Sequence, residues 1–308
     1  MMWYDSLRFK STNSNPKWNP HMRYVKPDNF DIAAKLLQDE KGISRILSGG
    51  TDVLVQLKSE VVEPDLIVDL KHLAGMTDII EEDGGYRIGA AVAGAVLGEH
   101  QGVKAMWPGV VEGMKLIGST QVQGRATMAG NLCNGSPAAD SVPAMITADA
   151  VARVHGPDGP RDVAVSEIPT GPGKISLAKG EFITSIFLPA RPERASDAYL
   201  RFIPRTEMDI AVSAAAVSLE LDAAGICTAA KVAVGAVAPT VRRVKDAEIA
   251  LIGSKLDDTA IAGLVSAVEA ACSPITDKRG TIEFRTKTAG VLAKRAALIA
   301  YARAGDQK

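Results

Sequence analysis

The stretch Ser48-Gly49-Gly50-Thr51-Asp52 decides the fold together with a second one, Thr127-Met128-Ala129-Gly130-Asn131. Both stretches consist of small residues, and both interrupt a sequence that is otherwise apolar. A glycine-rich turn between a strand and a helix allows backbone N–H groups to approach an anion closely. Two such turns in one chain suit the two halves of a pyrophosphate, so the pattern indicates that the chain binds a dinucleotide.

The residues around the first stretch predict that it joins a strand to a helix. Residues 44–47 before it have the apolar character of a strand, and residues 52–58 after it are typical of a helix. Three further elements complete this region: a helix that is capped within residues 28–31 and ends near Gln38, a strand at 66–70, and a hairpin over 79–89. The first part of the chain is therefore expected to form a small α/β unit.

A second unit follows, and a third begins after a pair of prolines. Helices are predicted near 110–117 and 141–148, and strands around 150–154 and 182–188. Pro189 and Pro192 come directly after the last of these strands, and because proline removes a ladder donor we place a domain boundary there. Beyond it, β-type runs at 211–221 and 227–237 precede helices at 240–251, 257–271 and 286–304, an order that favours an α+β domain.

The predicted organisation thus has four parts. They are an N-terminal extension at 1–21, a first subdomain at 22–76, a second subdomain at 77–190, and a C-terminal α+β domain at 195–305.

Composition and charge exclude several classes of protein. With 308 residues, 46% of them hydrophobic, the chain is long enough for two or three compact units. Its 35 basic and 36 acidic residues give a net charge of −1, which argues against nucleic acid as the main partner. No apolar run reaches the roughly 18 residues of a membrane span, and no export signal is recognisable. We therefore expect a cytoplasmic protein.

The cysteines and histidines predict no metal site within this chain. Cys133, Cys227 and Cys272 lie far apart and form no C-x-x-C pair, and the four histidines are scattered singly. Any metal of the system is therefore expected in a partner.

Three segments together resemble a known family. They are the pair of small-residue motifs, the stretch TMAGNLCNGSPAADSVP at 127–143 and the tail DKRGTIEFRTKTAGVLAK at 277–294. The combination is similar to the FAD-binding medium subunit of molybdenum hydroxylases, the carbon monoxide dehydrogenase and xanthine dehydrogenase family. The resemblance runs from about Met22 to Arg303, which is nearly the whole chain.

This resemblance implies the fold class. It is α+β, with two N-terminal α/β subdomains that form an FAD-binding domain of the PCMH or vanillyl-alcohol-oxidase type. A C-terminal domain follows that consists of a three-stranded antiparallel sheet and a helical bundle, like the C-terminal domain of carbon monoxide dehydrogenase flavoproteins.

The resemblance also implies a set of FAD-binding residues. Backbone amides of the two motifs receive the diphosphate, and Asp140 accepts a hydrogen bond from a ribose hydroxyl. Ile183 packs on the adenine, Ile117 lies at the isoalloxazine, and Arg201 stabilises negative charge at N1 and C2=O of the reduced ring. The full set of implied cofactor-binding residues is Leu47, Ser48, Gly49, Gly50, Thr51, Asp52, Val53, Ile117, Gln121, Thr127, Ala129, Gly130, Asn131, Asn134, Ser136, Asp140, Ile183 and Arg201.

Four of these positions also have plainer interpretations. Asp140 fits the N-cap of the helix predicted from Ser141, and Ile117 and Ile183 fit ordinary core positions. Arg201 fits a solvated or ion-paired surface residue. Ala129 stands where relatives have a glycine, so a positive φ at this position would strain the loop.

As a function, the resemblance implies an electron-transfer subunit. Electrons arrive from the [2Fe–2S] clusters of a small subunit, after substrate is hydroxylated on a molybdopterin-binding large subunit, and leave to NAD⁺, a quinone or another acceptor. The implied assembly is a dimer of heterotrimers.

Two alternatives stay open. A flavin-free assembly module with the same fold would bind its partners without FAD. A stand-alone FAD oxidase would turn over a small substrate by itself, although the aromatic-poor C-terminal region disfavours this alternative.

Overall fold

The computed structural model describes residues 22–306, which form three main sheets. The predicted extension at 1–21 lies outside the described residues. None of the helices in the described part of the chain is both long and apolar enough to cross a bilayer.

The first sheet is small and parallel, and it carries the first glycine-rich stretch. Its central strand β3 pairs with β1 on one side and with β2 on the other, and all four residues of β3 are buried. The Asn29 side chain caps the following helix by accepting a hydrogen bond from the Ile32 amide at 2.8 Å. The elements are β1 (Arg23–Val25), α1 (Phe30–Asp39), β2 (Ser44–Leu47), α2 (Val53–Lys58) and β3 (Leu66–Asp69).

The second sheet has five antiparallel strands in the order β4-β5-β10-β6-β7. Its first hairpin turns at Asp83 and Gly84, whose φ angles are 50° and 74°. A two-residue type I′ hairpin turn requires such positive φ angles at both of its central residues. Between β5 and β6 the chain leaves the sheet for six helices. The elements are β4 (Ile79–Glu82), β5 (Gly85–Gly89), α3 (Gly94–Glu99), α4 (Gln101–Met106), α5 (Pro108–Lys115), α6 (Thr120–Gln123), α7 (Met128–Cys133), α8 (Ser141–Thr147), β6 (Val151–Gly156), β7 (Gly159–Ala164), β8 (Pro169–Gly171), β9 (Lys174–Ile175) and β10 (Phe182–Leu188).

The C-terminal domain contains the three long antiparallel strands that the resemblance implies, β11, β12 and β13, and a two-residue edge strand, β14. Because β14 occupies Arg242–Arg243, the helix that the sequence predicts from 240 begins only at Lys245. The elements are β11 (Ala195–Phe202), β12 (Ser213–Leu221), β13 (Cys227–Gly235), β14 (Arg242–Arg243), α9 (Lys245–Leu251), α10 (Asp258–Ala271) and α11 (Ile282–Asp306).

Alanine explains how the long helix α11 covers this sheet. Small side chains allow a helix backbone to lie close to the strands, and α11 presents a stripe of alanines that have no exposed surface. The stripe consists of Ala289, Ala293, Ala296, Ala297, Ala300 and Ala304.

A buried ion pair joins the C-terminal domain to the helices of the second unit. Arg191, which lies between β10 and β11, donates from Nη1 to Oδ1 of Asp197 at 3.0 Å, and only 7% and 1% of the two side chains are exposed. The Arg191 guanidinium also lies 4.1 Å from the ring centroid of Trp107. Burial raises the pKa of Asp197, and the charge of Arg191 opposes that shift. The carboxylate is therefore stable in its charged form only next to its partner.

Replacing Arg191 with methionine tests this junction. The Arg191→Met side chain keeps an apolar stem but leaves the buried Asp197 carboxylate without a cation, which costs about 3 kcal/mol or more. We expect that loss in the free energy of unfolding of the full chain, measured by urea denaturation.

The control is Arg153→Met, because Arg153 pairs with Asp162 at 3.0 Å where 40% and 48% of the side chains are exposed. Such a pair contributes about 1 kcal/mol or less. Equal losses in the two variants would show that the buried pair does not hold the domains together.

Candidate cofactor site

The first glycine-rich stretch forms the predicted turn between β2 and α2. Gly50 has a φ of +83°, a value that side chains other than glycine rarely adopt, and its carbonyl accepts the Leu54 amide at 3.0 Å. A Cβ added at Gly50 would lie 2.9 Å from Cδ1 of Leu47. Glycine is therefore favoured here by the backbone conformation, whereas the flexible Leu47 side chain can move to make space.

The second stretch differs from the loop that the sequence predicts, because it forms the start of helix α7. Thr127 is the N-cap, and its side chain accepts a hydrogen bond from the Gly130 amide at 3.0 Å. Ala129 lies in the first turn of the helix and has no positive φ. Alanine in place of glycine therefore causes no backbone strain at this position.

The two stretches contact each other, although 79 positions separate Ser48 from Thr127. Their hydroxyl oxygens lie 3.4 Å apart, and Ser48 Oγ also donates to the Ala90 carbonyl at 2.8 Å. The amide Nδ2 of Asn134 donates to Asp52 Oδ1 at 3.4 Å. The backbones approach so closely that a Cβ at Gly49 would lie 2.0 Å from the carbonyl oxygen of Arg125. Tertiary structure thus brings the two motifs together at one place.

Both stretches present backbone donors that lack a protein acceptor. Within residues 22–306, the N–H groups of Gly49, Gly50 and Thr51 make no hydrogen bond. The same holds for Met128 and Ala129, since the first amides of a helix have no partner within it. Met128 and Ala129 are only 3% and 5% exposed, so water has little access to this end of α7. Buried donors of this kind need an acceptor, which an anionic ligand can provide.

Asp140 lies at the start of α8, and its carboxylate is bound by two side chains of β11. Tyr199 donates its hydroxyl to Oδ1 at 2.7 Å, and Arg201 donates from Nη1 to Oδ2 at 2.5 Å. Burial raises the pKa of Asp140 to about 6, while Arg201 and Tyr199 act in the opposite direction. Nε of Arg201 is buried and has no hydrogen-bond partner among the described residues.

Asp140 occupies the N-cap position of α8, as the sequence predicts, but it does not cap the helix with its side chain. Its side chain makes no capping hydrogen bond, because it is directed to Tyr199 and Arg201 instead. Asn131 performs this role from the neighbouring helix: its Oδ1 accepts from the amide of Ser141 at 3.2 Å and from Oγ of Ser141 at 2.7 Å. Asn131 thereby ties the start of α8 to α7.

The remaining predicted residues lie in different environments. Ile183 is 4% exposed and belongs to the hydrophobic core, and Ile117 is half-buried against the same core. Gln121 is exposed, and the Ser136 hydroxyl accepts from the Ala138 amide at 3.2 Å. Leu47 and Val53, at either end of the first stretch, are half-buried.

Sequence reasoning missed Tyr199. The run Ala195–Phe202 contains Ser196, Asp197 and Arg201 among its apolar residues, and these polar side chains obscure its strand pattern. The usable signal was a tyrosine two positions before an arginine, because such side chains lie on the same face of a strand.

Comparisons with known proteins agree with this geometry. The family model described as "FAD binding domain in molybdopterin dehydrogenase" matches residues 20–191, and "CO dehydrogenase flavoprotein C-terminal domain" matches residues 198–300. The putative xanthine dehydrogenase FAD-binding subunit of Escherichia coli strain K12 is 32% identical over 286 residues, which cover 92% of this chain and 97% of the relative. The carbon monoxide dehydrogenase medium chain of Afipia carboxidovorans is 32% identical over 281 residues, which cover 91% and 97%.

Solved structures show the same likeness. Reconstituted CO dehydrogenase from Oligotropha carboxidovorans contains a chain that matches with a TM-score of 0.87 at 32% identity, covering 92% of this chain and 98% of that one. A chain of carbon monoxide dehydrogenase from Hydrogenophaga pseudoflava matches with a TM-score of 0.88 at 30% identity, with the same coverage.

A single added methyl group tests the contact between the two stretches. In Gly49→Ala the new Cβ would overlap the Arg125 carbonyl, and because that atom belongs to the backbone, no rotamer change relieves the overlap. We expect a loss of about 1–3 kcal/mol in the free energy of unfolding, measured by urea denaturation.

Gly171→Ala is the matched control, since Gly171 also has an ordinary φ and its added Cβ meets nothing closer than 3.9 Å. A Gly49→Ala variant as stable as this control would mean that the two backbones are not in contact.

Proposed function

The chain belongs to the family of FAD-binding subunits of molybdenum hydroxylases, and we propose that it transfers electrons from the [2Fe–2S] clusters of a partner subunit to NAD⁺, a quinone or another acceptor. Its cofactor is FAD. When bound, FAD supplies reversible one- and two-electron redox chemistry. In this proposal the substrate is oxidised on another subunit, so this chain needs no acid, base or nucleophile for that step.

The observation that supports the proposal best is the pair of adjoining stretches with free backbone donors. Gly49, Gly50 and Thr51 on one side, and Met128 and Ala129 on the other, offer N–H groups without a protein acceptor among the described residues. A diphosphate carries several acceptor oxygens and negative charge, and both features suit such donors. The residues present therefore fit the cofactor that the family uses.

The other predicted residues receive proposed roles along the cofactor. Asp140 accepts a hydrogen bond from a ribose hydroxyl. The side chains of Asn131, Asn134 and Ser136 supply polar contacts nearby. Ile183 packs on the adenine, and Ile117 packs on the isoalloxazine ring. Gln121 and Arg201 lie near the isoalloxazine ring. Leu47, Val53, Asp52 and Gly130 shape the two stretches that hold the diphosphate.

We propose that this chain works in a complex with a molybdopterin-binding large subunit and a [2Fe–2S] small subunit, as a dimer of heterotrimers. Supporting relatives include the carbon monoxide dehydrogenase medium chain and subunit alpha of the 6-hydroxypseudooxynicotine dehydrogenase complex of Paenarthrobacter nicotinovorans. We assign FAD binding to the subdomains at 22–76 and 77–190, and place the C-terminal domain at 195–305.

The FAD content of the purified complex tests the function. We expect the full chain, co-expressed with its partner subunits, to carry FAD with a flavin absorption band that substrate bleaches and an acceptor restores. The double variant Gly50→Val, Gly130→Val adds two side chains beside the free donors, and we expect it to lose most of its FAD.

The matched control is Gly159→Val, Gly171→Val. Gly159 has a φ of +93° with open space around it, and Gly171 has an ordinary φ, so the control reproduces the backbone strain away from the two stretches. A colourless but assembled wild-type complex would favour the flavin-free module, and substrate turnover by the chain alone would favour the stand-alone oxidase.

A further inference from the structure

We propose that Tyr199 of the C-terminal domain is a positioning residue for FAD, because its hydroxyl bonds to the Asp140 carboxylate and keeps it available to accept a hydrogen bond from a ribose hydroxyl. This inference rests on the proposed function, in which Asp140 contacts the cofactor. It assigns to the C-terminal domain a direct influence on the pH range over which FAD binds.

The geometry leaves Tyr199 with few alternatives. Its side chain is 1% exposed, and its hydroxyl donates to Asp140 Oδ1 at 2.7 Å. Its backbone amide donates to Glu112 Oε2 at 2.9 Å, which attaches this point of β11 to α5. Hydrogen bonds therefore fix both the backbone and the hydroxyl of Tyr199, and the hydroxyl cannot leave the carboxylate without losing a buried hydrogen bond.

The carboxylate keeps room for a further donor. Each carboxylate oxygen can accept two hydrogen bonds, and Tyr199 and Arg201 occupy one position on each. A ribose hydroxyl can use one of the remaining positions. The charged form accepts such a bond more strongly than the protonated form does, so the ionisation of Asp140 matters for the cofactor.

The charges around Asp140 determine the direction of the effect. From β11 Asp140 faces Tyr199 and Arg201, and no other titratable side chain among the described residues shifts its pKa. Burial raises the pKa of Asp140 to about 6, and Tyr199 is one of the two side chains that lower it. Removing the hydroxyl therefore moves protonation of Asp140 to higher pH.

The test is the pH profile of FAD affinity in Tyr199→Phe, a change that keeps the buried ring. The full chain in its complex is freed of flavin and titrated with FAD between pH 5 and 9, and binding is followed by flavin fluorescence. In wild type we expect affinity to fall as pH drops through about 6. In Tyr199→Phe the fall begins at higher pH, with affinity about tenfold weaker near neutral pH and recovering towards wild type in alkali.

The recovery in alkali distinguishes positioning from a structural role. A merely structural defect lowers affinity at every pH, whereas deprotonation of Asp140 restores the acceptor whether or not the phenol is present. Asp140→Asn should bind weakly with no pH dependence in this range, and adding Tyr199→Phe to it should change the profile no further.

Tyr301→Phe is the matched control, since Tyr301 lies in the same domain and donates its hydroxyl to the Gly225 carbonyl at 2.8 Å. Thermal unfolding of each variant confirms that it is folded. If Tyr199→Phe has the pH profile of Tyr301→Phe, the inference is overturned while the function stands. If the wild-type complex binds no FAD at any pH, the proposed function itself fails.

Discussion

The close approach of two backbones, at Gly49 and at Arg125, is the constraint on which the candidate cofactor site depends. No side chain fits between them, because a Cβ at Gly49 would lie 2.0 Å from the Arg125 carbonyl oxygen. Glycine thus allows the turn after β2 to lie against the start of α7. The turn belongs to the first α/β unit and α7 belongs to the second. Since each element presents amides without acceptors among residues 22–306, their contact places two sets of donors side by side, as the proposed diphosphate site requires.

Buried charges link this site to the C-terminal domain. Arg191 pairs with Asp197, and Arg201 pairs with Asp140, and in both pairs the two charges lie in surroundings that penalise an isolated ion. The pairing has a consequence for the site as well as for stability. Because Asp140 balances the charge of Arg201, the pair adds little net charge to its surroundings.

Elements with strong local signals were predicted closely, and elements that depend on distant partners were not. Strand β10 spans Phe182–Leu188 as predicted, because its apolar run is bounded by a proline. The residue pattern did not predict strand β11, since Asp197 and Arg201 are stable there only through the partners that the fold supplies. The capping hydrogen bond expected of the Asp140 side chain does not form, for the same reason. A carboxylate at the start of a helix usually accepts local amides, but Tyr199 and Arg201 compete for it from another domain.

The sequence by itself determined the two stretches that form the candidate diphosphate site, because small residues at turns are a local property, and its resemblance to known flavoprotein subunits indicated the family and the cofactor. Only the tertiary structure decided that these stretches touch, that Asn131 caps α8, and that Asp140 is bound by Tyr199 and Arg201. These contacts join residues that are far apart in the chain. Their energies depend on burial and on hydrogen-bond geometry, and neither exists until the domains have packed together.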